Sequence, residues 1–148
     1  MENDRKGGGH RWFLVTGPDR GAWYSAYEIE TSMAEVAFHK TIDLLEIGVL
    51  EDDVTCDDYT ADFSAEFHDA RDAKRFARYL KPDSYLASQQ LAEELLAAGS
   101  LGIVYPSVRR SGGTCIACFR PALVMNVAKQ RTYRFVWDGA TTPAITPL

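Results

Sequence analysis

The chain has 148 residues, of which 46% are hydrophobic and 25% are charged, and this size and composition fit one globular domain. Its net charge of −5 argues against a broad nucleic-acid-binding surface, because such surfaces are normally basic. No apolar run approaches the roughly 18 residues of a membrane-spanning helix, and the polar N-terminus leads into glycines rather than an apolar signal core. We therefore expect a cytoplasmic protein that binds neither membranes nor nucleic acid.

The first part of the chain predicts a strand followed by a helix. We expect residues 1–10 to form a flexible segment. Two glycines and a proline within 17–21 are typical of a turn, and the apolar and aromatic run after them predicts a strand over 23–27. Apolar residues then follow roughly helical spacing over 31–45, and Gly48 marks the expected end of this helix.

The middle of the chain predicts one more strand and two helical stretches. Strict alternation of apolar and polar residues over 59–67 predicts a strand with one buried face. A charged connection over 69–80 is expected to be helical. A second helix is predicted over 84–98, with Asp83 or Ser84 as its N-cap.

Three strands follow without an intervening helix, over about 102–106, 115–119 and 132–137. Consecutive strands favour a single α+β domain, with mixed or antiparallel sheets and flanking helices, over a doubly wound parallel sheet. Residues 140–148 contain two prolines and are expected to form an irregular C-terminal tail, so that the folded domain spans 11–139.

The three cysteines are an odd number, which fits a reducing compartment better than a disulfide framework. Cys115 and Cys118 have the C-x-x-C spacing, but they lie in a predicted strand, where positions three apart point to opposite faces. The sequence offers no second cysteine pair. We therefore expect no metal site and no redox function.

Four side chains beside turns or element ends are candidate site residues. Arg11 follows a glycine run, Tyr24 lies in the first predicted strand, Glu35 interrupts the apolar side of the first helix, and Ser107 ends a buried strand. Together they would suit an anionic nucleotide, because arginine binds phosphate through paired hydrogen bonds and tyrosine offers an aromatic face. Arg109 and Arg110 are weaker candidates for the same phosphates. The sequence contains no G-x-G-x-x-G motif, Walker loop or G-x-S-x-G motif.

Each candidate also has a purely structural interpretation. Glu35 can close a capping box by accepting a hydrogen bond from the backbone N–H of Ser32. Arg11 can be an ordinary exposed arginine, Tyr24 a half-buried strand residue, and Ser107 a turn residue.

Taken in order, five segments of the chain resemble the RES-domain family, which is named for an arginine, a glutamate and a serine. They are GGHRW at 8–12, WYSA at 23–26, AEVAFH at 34–39, YPS at 105–107, and the closing strands with FRP at 119–121 and YRFVWDG at 133–139. The resemblance covers roughly residues 8–139, and the segments follow one another in the family's order.

The resemblance implies a fold similar to ADP-ribosyltransferase toxins and an enzyme that breaks the nicotinamide–ribose bond of NAD⁺ by hydrolysis or phosphorolysis. NAD⁺ is then a consumed substrate, with no further cofactor and no metal. We expect Arg11 at the pyrophosphate, Tyr24 at the nicotinamide side, Glu35 at the ribose, Ser107 beside substrate or acceptor, and Arg109 as a second phosphate ligand. The implied partner is an antitoxin with a helix-turn-helix DNA-binding part, and family analogy suggests a homodimer.

Two alternatives stay open at this point. The first is a protein ADP-ribosyltransferase that uses the same residues. The second is an inactive, truncated relative that only binds nucleotide or a partner protein, because family members often begin well before the glycine-arginine segment. Many members also have an asparagine where this chain has Val108.

Overall fold

The computed structural model describes residues 3–5, 11–16, 22–63, 65–71 and 86–148. In this part of the chain, nine strands and two α-helices follow one another. Their order is β1 (Asn3–Arg5), β2 (Trp12–Thr16), β3 (Trp23–Ala26), α1 (Ile29–Ile47), β4 (Glu51–Phe63), β5 (Glu66–Asp69), α2 (Leu86–Ala97), β6 (Gly102–Pro106), β7 (Thr114–Cys118), β8 (Val124–Asp138) and β9 (Ala144–Pro147). A short 3₁₀ turn, Pro121–Leu123, precedes β8.

The strands form one mixed sheet in the order β1-β5-β6-β7-β3-β2-β4-β8-β9. Only the β5–β6 pair is parallel among the strands described, and the other neighbours are antiparallel. The parallel pair is separated in sequence by the segment that contains α2, as a parallel connection requires a crossover. The prediction of a single α+β domain is confirmed.

Three apolar clusters hold the sheet and helices together. The first lies within the sheet and is formed by Trp12, Ala61, Phe63, Phe67, Val104, Ile116 and Cys118. In the second, Leu91 and Leu95 of α2 pack against Ile103 of β6 and Ala117 of β7. In the third, Ala37 and Leu44 of α1 pack against Phe135 and Trp137 of β8. The two helices therefore pack against different parts of the sheet, α2 against β6 and β7 and α1 against β8.

The first helix confirms its prediction and extends it by two residues at each end. It ends at Gly48, whose φ of 85° is a left-handed conformation that glycine adopts without strain. The Gly48 N–H donates to the carbonyls of Leu44 and Leu45 and closes the last turn. The second helix lies inside its predicted range, whereas the candidate caps Asp83 and Ser84 lie outside the described residues.

Three predicted strands match β3, β6 and β7 to within a residue. The predicted strand over 132–137 is only the last part of β8, which begins at Val124. The predicted strand over 59–67 is wrong as a single unit, because β4 ends at Phe63 and β5 lies elsewhere in the sheet. The first eight residues of β4 were not predicted because acidic residues dominate them, and cross-strand ion pairs with β8 offset those charges.

Two terminal expectations differ from the structure. Asn3–Arg5 forms β1 and pairs with β5, so this part of the segment expected to be flexible is a strand, and the rest of 1–10 lies outside the described residues. The irregular C-terminal tail is wrong, because Ala144–Pro147 forms β9 on the edge of β8. An edge strand tolerates Pro147, since one side of its backbone needs no partner strand. Most of the predicted helical connection, residues 72–80, also lies outside the described residues.

Neither of the described helices is both long and apolar enough to cross a membrane.

Candidate active site

Glu35 and Ser107 meet between helix α1 and the loop that follows β6. Ser107 Oγ donates a hydrogen bond of 2.7 Å to Glu35 Oε1. Only 13% of the Glu35 side chain is exposed. These two residues are 72 positions apart in sequence, so their contact exists only because α1 packs beside the end of β6.

The capping-box interpretation of Glu35 is wrong. Helix α1 starts earlier than predicted, and its N-cap is Glu28 rather than Ser32. The Ser32 N–H donates to the Glu28 carbonyl at 3.0 Å, and the Glu35 carboxylate accepts from Ser107 instead. The Glu35 side chain therefore takes no part in capping the helix and points to the strand side of α1.

The hydroxyl of Ser107 is fixed by the loop over residues 107–113, which we call the serine loop. Its oxygen accepts hydrogen bonds of 3.1 Å from the backbone N–H groups of Arg109 and Arg110. The Ser107 N–H donates to the Gly113 carbonyl at 2.8 Å and closes the loop. Because both N–H groups approach the lone pairs of Oγ, the hydroxyl hydrogen is directed to Glu35.

The serine loop is anchored to the first turn of α1. Arg110 Nη1 donates to Thr31 Oγ1 at 3.2 Å, and Thr31 Oγ1 donates to Glu28 Oε2 at 2.8 Å. Thr31 is fully buried, and a Cβ placed on Gly113 would lie only 2.5 Å from its hydroxyl oxygen. A glycine at position 113 therefore permits the close approach that brings Ser107 to Glu35.

The other neighbours of Glu35 come from the sheet. Cys115 Sγ lies 3.7 Å from Glu35 Oε1, and Cys115 is 2% exposed. Tyr105 of β6 is paired with Cys115 across the β6–β7 ladder, and Tyr24 of β3 is paired with Ala117. Positions 115 and 117 point to the same face of β7, so both tyrosines lie on the face that carries Cys115.

Positive charge reaches Glu35 from the serine loop. The Arg109 guanidinium lies 3.2 Å from the centroid of the Phe38 ring, one helical turn beyond Glu35. His39 Nε2 lies 4.0 Å from Glu35 Oε2, on the same face of α1. The two carboxylate oxygens thus have different surroundings, with Oε1 facing Ser107 and Cys115 and Oε2 facing His39.

Burial raises the pKa of Glu35, and the hydrogen bond from Ser107, the charge of Arg109 and the hydrogen bond from Cys115 partly oppose this effect. Burial also raises the pKa of Tyr105 well above its ordinary value, and the nearby Cys115, Glu35 and Tyr24 add to it. Titratable groups that perturb one another in this way are typical of active sites.

The structure brings Glu35, Ser107 and Arg109 together, with Tyr24 next to them through Tyr105. It holds Arg11 at a different place. Arg11 Nε donates to Thr60 Oγ1 at 3.0 Å, and Arg11 Nη2 donates to the Asn126 carbonyl.

Arg11 also lies 4.0 Å from Asp62, and 42% of its side chain is exposed. Among the described residues, its contacts therefore fasten β2 to the β4–β8 ribbon rather than completing the Glu35 cluster.

Sequence reasoning missed two members of the cluster. Cys115 stood out only as half of a C-x-x-C pair, and the structure puts Cys118 in the first apolar cluster, on the opposite face of β7. Tyr105 lies two residues before Ser107 in the YPS segment but had no predicted role. Register between β6 and β7 was the missing information, because it places residue 105 directly opposite residue 115. Within the described ranges, no three metal-ligating side chains cluster together.

In this α+β domain, a mostly buried carboxyl of raised pKa accepts a hydrogen bond from a hydroxyl and lies near the charge of an arginine. Such an arrangement is typical of enzyme active sites. The family model described as the RES domain matches residues 2–138, and the chain therefore belongs to the RES-domain family. This family is associated with NAD⁺-degrading toxins of toxin–antitoxin pairs. No curated protein matches the chain.

Proposed function

We propose that this chain is the toxin of a toxin–antitoxin pair and that it degrades NAD⁺ by breaking the nicotinamide–ribose bond, through hydrolysis or phosphorolysis. The observation that carries the proposal is the Glu35 carboxylate, which is mostly buried and held by the Ser107 hydroxyl at 2.7 Å. Membership in the RES-domain family supports NAD⁺ as the substrate, and the surroundings of Glu35 support its role in bond cleavage.

Breaking this bond releases neutral nicotinamide and builds positive charge on the ribose, so the transition state resembles an oxocarbenium ion. A fixed carboxylate beside the ribose stabilises that developing charge more than it stabilises the ground state. Burial of Glu35 strengthens the interaction, because little water screens it. The carboxyl must be ionised to act. The hydrogen bonds from Ser107 and Cys115 and the charge of Arg109 favour the ionised form, because they lower its pKa against the effect of burial.

The surrounding residues divide into those that hold Glu35 and those that are accessible to substrate. Ser107 holds the Glu35 carboxylate. Its oxygen accepts hydrogen bonds from two backbone N–H groups, and its hydroxyl donates a hydrogen bond to Glu35. Arg109, whose charge acts on Glu35, is the proposed cation for a substrate phosphate. Tyr24 is the proposed contact for the nicotinamide side, and Arg11 is exposed enough to meet the pyrophosphate from the β4–β8 side.

The same proposal includes the cofactor requirement, the cellular location and the partner of the enzyme. NAD⁺ is consumed as substrate with no further cofactor, the protein acts in the cytoplasm, and an antitoxin with a helix-turn-helix part is its partner.

The test is release of nicotinamide from NAD⁺ by the purified protein, measured with and without inorganic phosphate. Glu35→Gln should lower kcat/KM on the order of 100- to 1,000-fold, because it keeps the side-chain shape and removes the charge that stabilises the transition state. Glu30→Gln is the matched control, since Glu30 lies on the same helix and is exposed.

Undiminished release by Glu35→Gln would remove the acid from the mechanism, and no release by the unmodified protein would favour a nucleotide-binding or partner-binding relative without activity. NAD⁺ labelled in its adenylate part separates the remaining alternative. Label on a macromolecule indicates a protein ADP-ribosyltransferase, whereas free ADP-ribose or its phosphorylated form indicates hydrolysis or phosphorolysis.

A further inference from the structure

Two donors converge on one oxygen of Glu35. Ser107 Oγ lies 2.7 Å from Oε1, and Cys115 Sγ lies 3.7 Å from the same atom, which is within the range of a hydrogen bond donated by sulfur. The second oxygen, Oε2, receives neither of these donors. A carboxylate held through Oε1 keeps a fixed orientation, and Oε2, with His39 Nε2 at 4.0 Å, is left for substrate.

Cys118 shows what a purely structural cysteine looks like in the same strand. It is as deeply buried as Cys115, points to the opposite face of β7, packs in the first apolar cluster and donates to the Arg120 carbonyl. Cys115 instead directs its thiol to a carboxylate 80 residues away in sequence. If packing were the only role of position 115, a small apolar side chain would serve there as well as cysteine does.

The thiol of Cys115 stays protonated and can therefore act as a donor. Burial raises the pKa of Cys115, and the negative charge of the nearby Glu35 raises it further. Such a cysteine is a weak S–H donor rather than a nucleophile.

We propose that Cys115 is a positioning residue for the Glu35 carboxylate, whose S–H group occupies Oε1 together with the Ser107 hydroxyl and so reserves Oε2 for the ribose. The part of this proposal that concerns the ribose rests on the proposed function. The contact between Cys115 and Glu35 does not, and it can be tested without substrate.

Several groups face the Glu35 carboxyl and must be separated from Cys115 in the test. They are Arg109 from the serine loop, His39 from α1 and Tyr105 from β6, while Glu28 acts on Cys115 itself. The side-chain carboxyl carbon of Glu35 gives a signal that depends on the protonation of Glu35 itself.

The experiment compares Cys115→Ala with Cys118→Ala in the full-length protein. The pKa of Glu35 is followed by carbon-13 NMR without NAD⁺, and the acid limb of kcat/KM is followed with it. Cys115→Ala removes a donor to the ionised carboxylate. The NMR pKa of Glu35 and the pH of the acid limb of kcat/KM should therefore each rise by roughly half a pH unit. Cys118→Ala loses similar packing and should move neither.

An unshifted Glu35 pKa in a folded Cys115→Ala protein overturns the proposal, and so does an equal shift in Cys118→Ala. If the NMR pKa shifts in Cys115→Ala but neither the unmodified protein nor the variants release nicotinamide, the positioning contact stands and the proposed function fails. If nicotinamide is released and the NMR pKa does not shift, the proposed function stands and the contact fails.

A second measurement needs no substitution at Cys115. The infrared S–H stretching band of a thiol that donates to a carboxylate should move to higher frequency as that carboxylate becomes protonated. In the unmodified protein, one S–H band should follow the titration of Glu35, and this dependence should vanish in Glu35→Gln. If no S–H band follows that titration, the proposal is wrong even when Cys115→Ala does not fold.

Discussion

Glu35 is stabilised by partners from three separate segments, the serine loop, β7 and its own helix. These partners do not fully offset the cost of burying its charge, because the pKa of the carboxyl is still raised. The residue is therefore less favourable for folding when it is ionised than when it is neutral. Such a cost is expected at a group that is retained for function rather than for stability.

A prediction for stability follows from the direction of this pKa shift. A raised pKa in the folded state stabilises the protein fully below the unfolded pKa, and this stabilisation is lost as pH rises through the folded pKa. Glu35→Gln stays neutral, so it should raise the urea midpoint at pH 8 and have little effect at pH 4. Measured against Glu30→Gln, a stabilisation no larger than that of the control at pH 8 would contradict the prediction.

Only some residues of the site could be recognised from the sequence. The position of Glu35 on the apolar side of a helix, and of Ser107 at a strand end, could be recognised from local sequence patterns, and the structure brings the two into contact. Cys115 could not be recognised, because its role depends on which strand faces which helix. Arg11 had a strong local context, yet its described contacts lie with Thr60, Asp62 and Asn126.

At the scale of elements, the serine loop and the first turn of α1 act as one unit. The loop is closed by its own backbone hydrogen bonds and is docked on Thr31 through Arg110. Gly113 lies against Thr31, because a Cβ at position 113 would be only 2.5 Å from the Thr31 hydroxyl oxygen. The position of Ser107 is therefore set by a contact near the start of the helix, more than a turn away from Glu35.

Gly113→Ala tests this coupling. Its Cβ would lie 2.5 Å from Thr31 Oγ1, and Thr31 is buried and branched, so the loop must move away from the helix. We expect a loss of about 1–3 kcal/mol in the free energy of unfolding and a clear fall in nicotinamide release, because the Ser107 hydrogen bond to Glu35 is disturbed. Ser111→Ala, at an exposed position of the same loop, is the control for both urea unfolding and activity. Equal activities in the two variants would show that the loop position does not matter.

At the scale of the whole molecule, the end of β8 and the residues that follow it connect the sheet to helix α1. Trp137 Nε1 donates to Thr41 Oγ1 at 2.9 Å, and Thr41 Oγ1 donates to the Thr141 carbonyl at 3.0 Å. Ile145 of β9 packs on the third apolar cluster. The C-terminal residues are thus part of the support for the helix that carries Glu35.

Removal of residues 140–148 should therefore weaken the fold. The truncated chain loses the β9 ladder, the Thr41 hydrogen bond and the packing of Ile145, and it exposes the edge of β8. We expect a loss of about 1–3 kcal/mol in the free energy of unfolding and increased self-association, measured by urea unfolding and light scattering. Thr146→Ala, at an exposed position of β9, is the matched control. An unchanged urea midpoint after truncation would mean that the strand contributes nothing to the support of α1.

The sequence by itself determined the class of fold, the helix that carries Glu35, most strands near the site, and family membership. These features depend on local periodicity, on turn residues and on the order of short motifs, all of which are written along the chain. Tertiary structure alone decided the extent of β4, the pairing of β9, the contact of Cys115 with Glu35 and the position of Arg11. Those features depend on strand register and on helix placement, which are set by burial of side chains far apart in sequence.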